Sequence, residues 1–342
     1  CIILLSFLSL NVFSRPGEFK FEHLSIEDGL SHNSVTSIIQ DHKGFLWIGT
    51  NDGLNLYDGY DFRIFKADPF DSASISSNKI TKLYEDSQDR LWIGTRNGLN
   101  YFDWKTFSFK EVDFRKYQPG GSSVFVKAIY EDSRSNLWIG TYGLGLFLFD
   151  RENEQLKKIP LEYEGGDEED LESMVSGIFE DSRNNLWIGT SRTGIFKLDP
   201  EDHSYRFFDL DPGNRLPENS MVKTIYEDRE GMLWICSELV GVFRVRTGDW
   251  QIKHYEFSSG RNSLSNNIVK DIFQDDDGFV WLATDGGGVN ILDPSTGNFR
   301  HLKYDISDPS SLSGNAIYTF YKDNRNILWI GTFGGGINIL DP

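Results

Sequence analysis

The positions with the freest choice of chemistry stand directly after a recurring hydroxyl. Thr50, Thr95, Thr141, Thr190, Ser237, Thr284 and Thr332 recur through the chain. The residues next to them change from copy to copy: Asn51-Asp52, Arg96-Asn97, Tyr142, Ser191-Arg192, Glu238-Leu239, Asp285 and Phe333. Variable tips on a constant frame are where recognition concentrates. Aromatic faces cover the apolar C–H patches of sugars, while amides, carboxylates and guanidinium groups take hydroxyls, uronates or sulfates. The candidate ligand-binding residues are therefore Asn51, Asp52, Arg96, Asn97, Tyr142, Arg192, Glu238, Asp285 and Phe333. Taken singly, each also fits an ordinary solvated loop.

Other chemistry finds less support. His23, His32, His42, His203, His254 and His301 are scattered, with no His-x-x-x-His or His-x-His spacing that suits zinc. There is no Gly-x-Ser-x-Gly elbow. Asp275-Asp-Asp277 offers carboxylates to a hard cation but lacks the twelve-residue loop and closing Glu of an EF-hand, so it reads as a solvated turn. The runs Asp285 to Gly288 and Phe333 to Gly336 lead into strands and carry no Lys, unlike a phosphate cradle. Gly165-Gly-Asp-Glu-Glu169 resembles the GGDEF hairpin of diguanylate cyclases, but sits in an acidic loop without room for that domain. Asp41, Gly44 and Trp47 resemble the Asp box of sialidases with one residue too many between Asp and Gly, and the arginine triad of those enzymes cannot be assembled. No catalytic residue, cofactor or metal is assigned. Carboxylates facing one another across the fold would still permit glycoside chemistry. A secreted carbohydrate-active enzyme, lyase or hydrolase, is therefore the alternative reading.

The element that positions the variable tips is a unit repeated seven times. Trp47, Trp92, Trp138, Trp187, Trp234, Trp281 and Trp329 succeed one another at steps of 45 to 49 residues. Six places before each stands Asp41, Asp86, Asp132, Asp181, Asp228, Asp275 or Asp323. Such a period marks propellers and solenoids. The sixth unit reads as four strands: Ile268 to Gln274, Phe279 to Thr284, Val289 to Leu292 and Asn298 to Tyr304. Both faces of the second strand are apolar or small, which demands cover on both sides, as in radially stacked sheets. The recurring Asp closes the turn after the first strand by accepting its backbone N–H groups. The fold class is all-β: a seven-bladed propeller of four-stranded antiparallel blades. The last unit stops after its third strand, and Glu18 to Leu24 has the alternation to supply the fourth, closing the ring and removing an unpaired edge.

Composition narrows the partners. The chain of 342 residues carries 34 basic and 52 acidic side chains, a net charge of −18. That field disfavours nucleic acid and anionic membrane surfaces, and no Lys/Arg cluster along the sequence reverses it. Two cysteines, Cys1 and Cys236, make no disulfide framework; Cys236 replaces the Gly of other repeats as a small buried side chain. The run Cys1 to Phe13 has the length of a signal-peptide core, so residues 1–14 are read as the remnant of a secretory signal and 15–342 as the propeller.

The pattern Ile-x-x-Ile-x-x-Asp-x-x-Gly-x-Leu-Trp-Ile-Gly-Thr-x-x-Gly-Leu-Asn-x-Tyr-Asp, fullest in Ile38 to Asp58 and Leu83 to Asp103, resembles the two-component regulator propeller repeat. Cys236 and Ala283 depart from it at the Gly. The resemblance implies a periplasmic sensor of a hybrid two-component histidine kinase, anchored in the inner membrane. It implies an oligosaccharide ligand, a homodimer in the full-length receptor, and a second propeller and an immunoglobulin-like domain in the same chain. It also implies control of polysaccharide-utilisation genes. Kinase activity would belong to other parts of such a protein, because no phosphoacceptor box is found here. A ring that only spaces the sensor is a further possibility.

Overall fold

The computed structural model describes residues 19–118, 123–161, 174–190, 194–210, 220–260 and 262–341. The proposed signal remnant and the Gly165–Glu169 loop lie outside them. Seven four-stranded antiparallel sheets are present, each with its strands in sequence order except the last. The first strands of the blades are Val35–Gln40, Ile80–Glu85, Phe125–Glu131, Val175–Glu180, Val222–Glu227, Val269–Gln274 and Ile317–Lys322. Each packs against the first strand of the next blade, and the seventh packs against the first, so they form a closed inner ring.

Closure takes the expected route. Glu22–Leu24 pairs with Ile337–Leu340 of the seventh blade, in the register Glu22 to Ile339 and Leu24 to Ile337. The strand is shorter than the sequence suggests. The Phe21 N–H goes instead to the Ser310 carbonyl at 2.9 Å, which takes it out of the ladder. Phe21 is buried with Trp281, Leu312 and Ile317, so the segment ties the sixth and seventh blades as well as completing the latter.

The recurrent Asp makes more bonds than a turn alone requires. One oxygen of Asp181 accepts the backbone N–H of Arg183 at 3.0 Å and of Asn185 at 2.9 Å. Its other oxygen accepts the indole N–H of Trp187 at 2.8 Å. The indole bond recurs in all seven blades at 2.7 to 3.1 Å. A Trp can be buried whole only if its single donor is satisfied. The carboxylate supplies that acceptor, and the apolar remainder of the ring fills the space between blades. The hydroxyl three residues after the Trp closes the opposite end of the strand, as in Thr50 Oγ1 donating to the Gly53 carbonyl at 2.9 Å.

Adjacent blades approach closely at the Gly of Trp-Ile-Gly-Thr. A Cβ on Gly49 would lie 2.5 Å from Ile80 Cγ2, and one on Gly189 2.6 Å from Val222 Cγ1, both on the next inner strand. Cys236 and Ala283 occupy this position in blades five and six and are fully buried, as expected of small side chains. Burial pushes the Cys236 thiol well above its ordinary pKa.

A belt of polar clasps joins the blades at the turns between first and second strands. Ser87 Oγ donates to Glu131 at 2.8 Å, Ser133 Oγ to Glu180 at 2.9 Å and Ser182 Oγ to Glu227 at 3.0 Å. His42 contacts Glu85 at 2.7 Å, Arg229 N donates to Gln274 at 3.0 Å, and Lys322 meets Asp276 at 2.6 Å. Asn324 N donates to Gln40 at 3.1 Å and completes the circle. Asp275 and Asp276 are thus engaged by Trp281 and by Lys322 and Arg229, in keeping with a structural turn.

Replacing Asp181 by Ala leaves the Trp187 indole N–H unpaired in the interior and should lower stability by about 1–3 kcal/mol in urea unfolding, Asp181→Asn costing less. Phe21→Ala should cost about 3 kcal/mol through the cavity between the sixth and seventh blades. A melting temperature unchanged by Phe21→Ala would show that the amino-terminal strand does not hold the ring shut.

Candidate functional site at the mouth of the ring

The loops between second and third strands and those between blades emerge at one end, because strands alternate in direction. In five of the strand-two loops the first residue is pinned by its backbone N–H to the inner-strand side of its own blade. Asn51 N donates to the Ser34 carbonyl at 3.0 Å, Arg96 N to Lys79 at 3.0 Å and Glu238 N to Met221 at 2.8 Å. Asp285 N donates to Ile268 at 3.0 Å and Phe333 N to Ala316 at 2.8 Å. Four of the loop residues bridge to the following blade: Tyr142 to Met174, Glu238 to Ile268, Asp285 to Ala316 and Phe333 to Ser34. Being wedged between two inner strands, they present their side chains at the mouth of the central channel.

Five of the predicted residues are joined there by inner-strand side chains that the spacing of the repeat alone does not single out. Each inner strand carries a β-bulge after its first or second residue, and the bulged position is Thr36, Thr81, Lys127, Ser176, Lys223, Lys270 or Tyr318. Bulges re-aim side chains. The short hydroxyls bond the neighbouring blade, as Thr81 Oγ1 does to the Val126 carbonyl at 2.6 Å. The long side chains reach the mouth. Lys270 Nζ lies 3.0 Å from Glu238 and 3.6 Å from Asp285. The Tyr318 hydroxyl lies 3.4 Å from Asp285, and its ring stacks on Phe333 at 5.3 Å. Lys127 Nζ sits over the Phe125 ring at 4.1 Å, Arg96 over the same ring at 5.0 Å, and Tyr142 lies 6.1 Å from it.

The electrostatics of this group reverse those of the chain. Burial, then repulsion from Lys127, lowers the Lys223 pKa to about 8, with Lys270 and Lys82 adding to the repulsion and Glu238 opposing it. Burial and the charges of Lys270 and Arg96 also lower Lys127. Burial disfavours the Glu238 carboxylate, but Lys270, Lys223 and Lys127 outweigh it and hold its pKa below the ordinary value. Asp271 is raised by burial, with Lys82 pulling the other way. Burial and the Asp285 charge push the Tyr318 phenol up to about 12. Among the described residues, Arg96, Lys82, Lys127, Lys223 and Lys270 thus share one space with Glu238, Asp271 and Asp285, an excess of positive charge within a chain of net charge −18. The expectation that no basic cluster reverses the field fails, because these cations come from separate blades and meet only around the axis. A signal was present: Lys127, Lys223 and Lys270 occupy one phase of the repeat, directly after the buried Val126, Val222 and Val269.

The remaining predicted residues fall elsewhere. Asp52 turns outward, accepting from Asn78 at 3.0 Å and pairing with Lys66, which holds its carboxyl below the ordinary range. Asn97 donates to the Ser76 carbonyl at 3.3 Å. Both brace loops. Asn51 holds the mouth position of the first blade and is half-buried. Arg192 lies outside the described residues. The histidines are dispersed: His254 bonds the Val240 carbonyl at 2.5 Å and His301 the Ser263 carbonyl at 2.9 Å. Among the described residues no helix is long and apolar enough to cross a membrane.

A closed ring of seven such four-stranded antiparallel blades defines a seven-bladed β-propeller. The model of the two component regulator propeller matches seven times, at residues 29–52, 74–97, 120–143, 171–192, 215–238, 263–286 and 311–334. The chain belongs to that family. It is similar to the extracellular domain of the putative hybrid two component system BT3049 from B. thetaiotaomicron. That likeness has 28% identity and a TM-score of 0.77, and covers 94% of this chain and 42% of the other. A stretch of 75 residues, 22% of this chain and 6% of the relative, is 47% identical to histidine kinase P4 of Formosa agariphila. The chain therefore spans less than half the length of either. Virginiamycin B lyase from Staphylococcus aureus shares the fold, with a TM-score of 0.71 over 95% of this chain at 16% identity.

Because the Lys223 pKa is lower in the folded chain than in the unfolded one, its charged form weakens the fold. That penalty is present in full below about pH 8 and fades as pH rises toward the unfolded lysine value near 10.4. Lys223→Gln should raise the melting temperature at pH 7 and flatten the gain in stability between about pH 7 and 9.5. A variant less stable than the parent at pH 7 would contradict the reading of Lys223 as a repelled charge.

Proposed function

We propose that this chain is the ligand-sensing ring of a hybrid two-component system, exported to the periplasm, and that its ligand is an oligosaccharide. The observation that carries the reading is the sevenfold family match together with the likeness to the extracellular domain of such a system. The mouth supports it chemically. Phe125, Tyr142, Tyr318 and Phe333 offer ring faces, while Arg96, Asn51, Glu238 and Asp285 offer donors and acceptors for hydroxyls. Phosphotransfer belongs to a kinase region elsewhere in the full protein, and this ring performs no turnover of its own. The signal requires a ligand that binds one state of the receptor more tightly than the other. A homodimer, in which a second propeller and an immunoglobulin-like domain relay that difference to an inner-membrane anchor, meets this requirement. Its output is control of genes for polysaccharide use.

Growth of the source bacterium on individual plant, algal and host glycans, with transcript profiling, tests the reading. At least one glycan should induce polysaccharide-degradation genes, and deletion of the codons for this ring should abolish the response. Induction that survives the deletion would overturn the sensing role. Incubation of the purified chain with the same glycans should release no new reducing ends or unsaturated products; turnover would favour a secreted lyase or hydrolase.

A further inference from the structure

We propose that the channel mouth is an anion subsite, and that the oligosaccharide it takes carries carboxylate or sulfate groups. This rests on the glycan-sensing reading and specifies its ligand. The geometry begins with Lys127 and Lys223, which stand at the same bulged position of the third and fifth strands of the closed inner ring, near enough for the charge of Lys127 to act on Lys223. Neither has a carboxylate within 4.0 Å among the described residues, whereas Lys270 is held by two, Glu238 and Asp285. Lys82 comes from the second inner strand and lies close enough to act on both Lys223 and Asp271.

Like charges gathered in a partly enclosed space disfavour one another, and the arrangement persists more easily with a counter-anion among them. The weakened protonation of Lys127 and Lys223 agrees with that picture. An anionic group seated between the two ammonium ions would receive charge-assisted hydrogen bonds from both. Lysine suits this task because its rotatable point charge follows an acid group presented at varied angles.

The surroundings make the anion part of a sugar. Phe125, with Tyr142 beside it, lies under Lys127, and Tyr318, stacked on Phe333, lies under Lys270. Ring faces of this kind cover the C–H faces of pyranose units. Glu238 and Asp285, already bound to Lys270, retain lone pairs for sugar hydroxyls and repel anionic groups placed beside them. The mouth is therefore selective for where the charge sits along the ligand, with acid accepted at Lys127 and Lys223 and hydroxyl preferred at Lys270. A further hollow of about 330 Å³ by Asn97, Glu111, Arg115 and Gln118 lies outside this group of cations.

Isothermal titration calorimetry on the whole chain at pH 7 separates the outcomes. The probes are tetragalacturonate, a chondroitin sulfate tetrasaccharide, neutral cellotetraose and xylotetraose, and sodium sulfate and sodium acetate. At least one acidic tetrasaccharide should bind roughly ten- to a hundredfold more tightly than either neutral one, the range set by charged hydrogen bonds. The carboxylate and sulfate arms show which acid group is preferred. The pair of substitutions Lys127→Gln and Lys223→Gln should remove that preference while melting stays cooperative, and Lys127→Arg with Lys223→Arg should keep most of it. Affinity for the acidic probe should fall between about pH 7 and 9 as Lys223 loses its proton. Neutral sugars bound as well as acidic ones, with no effect of the Gln pair, would overturn the anion subsite and leave glycan sensing intact. Lysine-dependent binding of sulfate or acetate without any sugar would keep the subsite and overturn the glycan reading. Failure of every probe to bind would overturn the subsite.

Discussion

The interaction on which the rest of the ring depends is the hydrogen bond from a buried tryptophan indole to the carboxylate six residues earlier. A flat, wide side chain is the natural filler between radially stacked sheets, but its N–H cannot be left unpaired in the interior. The Asp satisfies it and at the same time holds the turn between the first and second strands, so one carboxylate links the local geometry of a blade to the packing between blades. Its surroundings vary without disturbing this role. Burial works against the Asp86 carboxylate, but the Trp92 indole and Arg151, 2.6 Å away, outweigh it and keep its pKa low. Among the described residues no arginine pairs with Asp275, and burial raises it.

From this constraint the shape of the repeat emerges. The Gly of Trp-Ile-Gly-Thr lets the next inner strand approach, and the Asn of the third strand is fully buried in four blades, at Asn55, Asn100, Asn290 and Asn338. There it accepts the N–H of a serine in the loop entering the blade, as with Ser31 to Asn55 at 2.9 Å. In the three central blades Phe147, Phe196 and Phe243 take the same place and fill it with apolar volume instead. Two chemistries serve one position because the loop can be anchored by a hydrogen bond or pressed down by packing. The belt of clasps at the opposite end uses Ser–Glu, Arg–Gln, Lys–Asp and Asn–Gln pairs in the same interchangeable way.

A ring built so has a frame that tolerates little change and an axis where side chains are free to differ. Bulged inner strands direct every seventh of the circle toward one mouth, so a few residues per blade, the bulged one and the loop tip beside it foremost, decide its chemistry. Threonine and serine at that position bond the next blade, while lysine and tyrosine extend into the opening. A strongly acidic protein can in this way present a locally basic recess: surface carboxylates are spread over the whole circumference, and a few lysines are brought to one point.

Much of this is legible in the chain itself. The blade count, the four strands of each blade, the closing amino-terminal strand and the Asp turn all come from a local pattern read at a fixed period, because each blade repeats the same short-range physics. Adjacency in sequence groups the outer loop positions Asp52 and Asn97 with the mouth residues, yet neighbouring residues on a tight loop point in different directions, and only the first of each pair is wedged at the axis. The indole bond and the lysine cluster needed the folded ring. Lys82, Lys127, Lys223 and Lys270 are 45 to 96 residues apart from one to the next, and what gathers them is rotation about an axis, a relation between blades that no window along the sequence contains. Local periodicity determined the frame; the closure of that frame on itself decided which charges meet.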